Sequence, residues 1–185
     1  MNPLISELRY NSPEKLLSKY NIPLQPPINV GYLFERIGIL KISFDFTKIE
    51  NILGKTNGSV MGAIYQSESN IGIFYRTSDN RNTQRFVLVK CLARCCLYEN
   101  IAFGNYYLEC SSMENSLEDP TEKIITDYAE KLLIPREVLM DIHKRIYIAP
   151  KISDLANFFQ VPIPVMMDRL EKLQLSYLKD CGFST

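Results

Sequence analysis

Lys90, Cys91 and Arg94 sit in the run Lys-Cys-Leu-Ala-Arg, and Cys95 and Cys96 follow at once. A lysine and an arginine four positions apart stack on one face of a helix. Both are cationic donors without a lone pair at neutral pH, so they can pair with carboxylates or line a wet cleft but cannot hold a metal. Cys91 and Cys95 are also four apart, on a face turned by about 100°. With Cys96, Cys110 or Glu122 they could form a thiolate metal site, favoured by the neighbouring cations. Free cysteines on an apolar helix are more often small core residues. His143 is the only histidine. Nothing in the spacing brings it to Cys91 as the base of a cysteine nucleophile.

The element that must position these residues runs from Gln84 to Tyr98 without Gly or Pro. Thr83 can cap its start. It is apolar nearly all round, which predicts a helix buried inside a domain. Charges on such a helix need partners or water, because isolated burial costs several kcal/mol. Upstream, Ser12-Pro13-Glu14 signals a helix start, and Asn29 caps a helix over Val30 to Ile37 that Gly38 closes. Ile39 to Phe46 reads as a strand, and Lys48 to Leu53 as a helical turn. Ser59 to Gln66 and Ile71 to Arg76 form a hairpin across a polar turn. Gly62, Ala63 and Gly72 leave part of that sheet bare, for close packing against a helix or for an extended peptide. Arg76, Arg81 and Arg85 flank a polar loop and are candidates for binding an anion or a partner.

Downstream, a short strand is predicted at Tyr106 to Cys110 inside a polar insertion, and Thr121 caps a helix running to about Ile134. Arg136 to Arg145 is helical. Pro150 precedes a last pair of helices, Asp154 to Phe159 capped by Ser153, and Val165 to Leu173. This pair has the pattern of a helix-turn-helix. The elements predict an α+β fold, a small antiparallel sheet on a central helix, with residues 1–148 as one domain and 149–185 as a helical extension packed on it.

At 185 residues the chain can bury a sizeable core. Its formal net charge is zero, which argues against a general nucleic-acid binder. No apolar run is long enough to span a membrane, and the first residues lack the pattern of a signal peptide. The cysteines number five, an odd count, three of them on one predicted helix, which points to a reduced, cytoplasmic setting.

The central segment resembles the zinc-binding helix of ImmA/IrrE-type metallopeptidases, where R-F-[TS]-x-A-H-E-x-[GA]-H is typical. Arg85 and Phe86 match its lead-in, while Lys90, Cys91 and Arg94 stand where His, Glu and His would be. A second signature, E-x-x-[AC]-[ND]-x-[FY]-A-x-x-[LF]-[LM]-x-P, is similar to the stretch from Glu122 through Tyr128, Ala129, Leu132 and Leu133 to Pro135. Ile125 and Thr126 depart from it. The resemblance implies a zincin-like fold and places Glu122 at the third metal ligand. A gluzincin needs two imidazoles and a Glu general base, and this chain offers neither at those positions. The expectation is a degenerate site of Lys90, Cys91, Arg94 and Glu122, without metal or cofactor, in which the two cations take over the metal's role by pairing with Glu122. The implied function is that of an inactive pseudopeptidase acting on a protein partner, in regulation linked to a repressor or mobile element. An active enzyme with a cysteine-containing metal site is one alternative, and a DNA-binding regulator using the last helices is another. Arg169 and Lys172 are the only cations those helices offer DNA, beside Asp168 and Glu171, so capping the core or forming a homodimer suits them better.

Overall fold

The computed structural model describes residues 3–98, 119–146 and 148–179, and the backbone course of 106–110. Its first helices are α1 (Pro3–Leu8) and α2 (Pro13–Lys19), the second capped by the Ser12 hydroxyl, which accepts from the Lys15 N–H. Helix α3 (Val30–Ile37) is capped by Asn29 and ends at Gly38 with φ +88°, a backbone angle that only glycine adopts without strain. Strand β1 (Leu40–Phe44) follows, then α4 (Thr47–Ile52), β2 (Val60–Gln66) and β3 (Ile71–Arg76). The hairpin turn is closed by the Ser67 N–H donating to the Asn70 carbonyl.

Helix α5 (Arg81–Leu97) begins three residues before the span its apolar run suggests, because Asn80 rather than Thr83 is the cap. The Asn80 side chain accepts from the Thr83 N–H at 3.0 Å. Strand β4 (Tyr106–Cys110) completes the sheet. Helix α6 (Pro120–Leu133) is capped by Asp119, and Thr121 is the residue whose N–H is bound. Helices α7 (Arg136–Arg145), α8 (Ile152–Phe159) and α9 (Ile163–Lys172) finish the described chain. Ser153 does not cap α8, which starts one residue before it.

The class is α+β, but the sheet is mixed rather than antiparallel, in the order β1-β3-β2-β4. β2 pairs antiparallel with both β3 and β4, whereas β1 runs parallel to β3, Leu40 beside Gly72 and Phe44 beside Arg76. The chain leaves β1 through α4 and returns along β2, so the tight hairpin sends β3 back in the direction of β1. A parallel neighbour needs such a crossover.

Alternating residues divide the sheet between two layers. Ile64 and Ile73 face the main core with α5, whereas Ala63 and Phe74 join Phe46, Ile49 and Val60 in a smaller cluster beside α4. Gly62 is where helix and sheet come closest. A Cβ there would lie 2.7 Å from Val87 Cγ1 and 2.9 Å from the Phe74 carbonyl oxygen. Close packing accounts for this glycine; Gly72 has only ordinary contacts around it. The main core is continuous from α1 through α5 and α6 to α8 and α9, taking in Leu155, Phe159, Met166 and Leu170.

Candidate functional site

The expected residues meet at the seam between α5 and α6. Val87, Leu88, Val89, Leu92 and Ala93 bury the apolar faces of α5 and hold it rigidly against the sheet, so Lys90 and Arg94 emerge on the side that α6 covers. Asp119 and Pro120 start α6 so that Glu122 lies in its first turn, where the helix dipole favours a carboxylate. Lys90 Nζ is 3.1 Å from Glu122 Oε2, and the Arg94 guanidinium donates to Glu122 Oε1. Each carboxylate oxygen thus has its own cation. The three side chains are only 14 %, 8 % and 16 % exposed, so water screens the attraction weakly.

Cys91 does not join this trio. It is fully buried beside Gly62, on the sheet side of α5. Cys95 and Cys96 are buried as well. Burial, with Cys96 adding to it, pushes the Cys95 thiol far above its ordinary value. Burial pushes Cys96 up to about 12 despite its hydrogen bond with Tyr128. Thiols held protonated in this way are poor metal ligands and poor nucleophiles. Among the described residues no three His, Cys, Asp or Glu side chains converge as a metal site would need. His143 sits on α7, its ring nitrogens against the carbonyls of Leu139 and Ser176.

The three arginines considered for an anion patch part company. Arg76 is 5 % exposed; its guanidinium pairs with the fully buried Glu50, and its Nε donates to the Val60 carbonyl at 2.9 Å. Glu50 also accepts from the N–H groups of Val60 and Gly58. Burial would raise its carboxyl, but those bonds and Arg76 together hold it below the ordinary value. Arg85 donates to the carbonyls of Gln160 and Ile28, tying α5 to the α8–α9 turn and to the approach to α3. Burial, and to a lesser degree Arg81, lowers its guanidinium to about 10, still charged at neutral pH. Only Arg81 is exposed. The sequence gives no sign of this split, because residues distant in the chain supply every partner.

The two cations of α9 are likewise engaged. Arg169 is buried and donates to the Ile134 carbonyl. Lys172 Nζ lies 2.8 Å from Glu130 and 2.7 Å from Asp168. Glu130, in the last turn of α6, is 1 % exposed and was not among the residues the sequence singled out. Burial, and a hydrogen bond with Asp168, push its carboxyl up to about 7 against the pull of Lys172. A glutamate one turn before Pro135, among Leu132, Leu133 and Ile134, was the available signal.

What the α5–α6 trio does in the fold is hold charge. It joins two helices through one carboxylate shared by two cations. No family model matches the chain, and no curated protein is significantly similar to it.

Proposed function

We propose that this protein is a catalytically inactive, ImmA/IrrE-like scaffold that acts by binding another protein. The observation that carries the reading is Glu122 gripped by both Lys90 and Arg94, at the two helix positions and the following carboxylate that the resembled signatures assign to a metal. Two fixed cations four apart on α5 supply the positive charge that a zinc ion would, and they leave no imidazole to bind one. Three further observations support the reading. Cys91, Cys95 and Cys96 point into the core, while the side chains of Cys110 and Cys181 lie outside the described residues; Arg76 is locked in a buried pair, and α9 presents neither of its cations freely to DNA.

The test restores the imidazoles. The Lys90→His/Arg94→His double variant keeps Glu122 and should hold about one zinc per chain after dialysis, by elemental analysis, while the parent protein holds none. Stoichiometric zinc in the parent protein, or a folded double variant that binds none, would contradict the reading.

A further inference from the structure

Helix α9 is held down at its two ends by different chemistry. At its start the α8–α9 turn is fixed through its backbone. Asn82 and Arg85 of α5 donate to the carbonyls of Val161 and Gln160. At its far end the last turns of α9 meet α6 through one ammonium. Lys172 Nζ lies 2.8 Å from Glu130, 2.7 Å from Asp168 and 3.8 Å from Asp127. The three carboxylates that converge on this lysine are not equivalent. Asp168 is half-exposed, and Asp127 has Lys131 at 2.6 Å. Glu130 is buried, and its Oε1 finds no donor among the described residues. Ionised, that oxygen would be a buried acceptor without a donor, beside a like charge on Asp168. Protonated, Glu130 donates to Asp168. The other charges packed around the seam do not supply the missing donor. Arg169 directs its Nε to the Ile134 carbonyl, and Glu14 of α2 and Arg136 of α7 act on it with opposite signs. His143 of α7 holds the segment after α9, its Nε2 3.3 Å from the Ser176 carbonyl.

We propose that the C-terminal end of α9 is a proton-operated latch, in which Glu130 and Asp168 share one proton beside Lys172. Loss of that proton lets this end of α9 lift from α6 while the α8–α9 turn stays clamped to α5. The sign of the response follows from where Glu130 sits in each state. In the closed seam its carboxyl stands at about 7, and lifting the helix returns it to water and to the ordinary 4.5. Lifting therefore releases a proton. It is rarest below about pH 4.5, grows easier as the pH rises, and levels off above about pH 7. Mild acidification closes the latch, and near neutrality residues 168–179 become the part of the helical wall that opens first.

Hydrogen exchange of the full chain, read by mass spectrometry from about pH 5 to 8 and corrected for intrinsic exchange, tests this. The opening constant of residues 168–172 should rise about tenfold per pH unit between about pH 5 and 7 and then level. Helix α5 and the α8–α9 turn should not follow. Glu130→Gln, with its fold checked by circular dichroism, should flatten the rise. Asp168→Asn removes the like charge from a half-exposed position, so the levelling point should move to lower pH. Lys172→Met removes the cation, so it should move to higher pH. Opposite shifts of one titration separate a shared proton from general destabilisation, which changes how much opens but not where the response levels. His143 is kept in every variant, so a rise that persists in Glu130→Gln would assign the response elsewhere and overturn the proposal. Opening at residues 168–172 that does not change with pH, or a levelling point that neither Asp168→Asn nor Lys172→Met moves, would overturn it as well.

Discussion

Glu122 holds two cations with one carboxylate, and its loss should be felt more than its place in the first turn of α6 suggests. Glu122→Gln leaves Lys90 and Arg94 poorly compensated in a seam that water reaches little, at a cost of about 3–5 kcal/mol where burial is deep. Combining it with Arg94→Met removes one of the stranded charges, so the double variant should be more stable than Glu122→Gln alone. Urea unfolding of the parent, both single variants and the double reads the coupling, and additive losses would separate the three groups energetically. Glu130 gives a second prediction, in pH. Its folded value of about 7 exceeds the unfolded 4.5. Its contribution is therefore complete below about 4.5 and lost as the pH rises through about 7. Glu130→Gln removes that loss. At pH 8 the variant should be more stable than the parent, by up to roughly 3 kcal/mol, and the difference should shrink toward pH 5. A gap that does not change between those pH values would show that Glu130 ionises freely in the fold.

Two contacts decide how the elements sit. Helix α5 can approach the sheet only because Gly62 has no side chain, so Gly62→Ala forces Val87 or the β3 backbone to move. Overpacking of this kind costs about 1–3 kcal/mol. Thermal unfolding should show the loss, and Val87→Ala in the same chain should restore part of it by clearing the contact at 2.7 Å. On the other face, Glu50 anchors α4 to the sheet through Arg76 and the N–H groups of Val60 and Gly58. Glu50→Gln keeps the shape but strands Arg76 in an apolar cluster beside Phe46. Its cost, about 3–5 kcal/mol, should appear as earlier hydrogen exchange across α4 and β2. Exchange unchanged from the parent would mean that the cluster is held by its apolar contacts alone.

For the molecule as a whole, the last two helices are part of the core. Phe159, Met166 and Leu170 are fully buried in the same cluster as α5 and α6, and Arg85 clamps the turn between α8 and α9. Helices α8 and α9 therefore act as a structural wall for the rest of the described fold. A chain ending at Ala149 should expose that wall's apolar imprint, bind a hydrophobic dye and lose its sharp thermal transition. A sharp transition in the shortened chain would make the helix pair a separable unit. No described helix is long and apolar enough to cross a membrane.

Periodicity and capping chemistry are local, and they were legible. Ser12 and Asn29 cap as their types predict, Gly38 closes α3, and the Ser67–Asn70 turn joins β2 to β3. The apolar surround of α5 announced a buried helix, and four-residue spacing placed Lys90 and Arg94 on one face before any partner was known. Where a cap competes with a near neighbour, as Asn80 does with Thr83, local chemistry permits both and the loop geometry chooses. The parallel pairing of β1 escaped the sequence because strand order depends on the path of a crossover, not on alternation within a strand. Tertiary structure alone decided the fates of charges of the same type. Arg76 finds Glu50 across the sheet, Arg85 finds two carbonyls from distant turns, Arg81 stays in water, and Glu130 is buried by a helix that begins some thirty residues later. A side chain's charge is written in its residue type, but its cost and its partner depend on which surfaces fold over it.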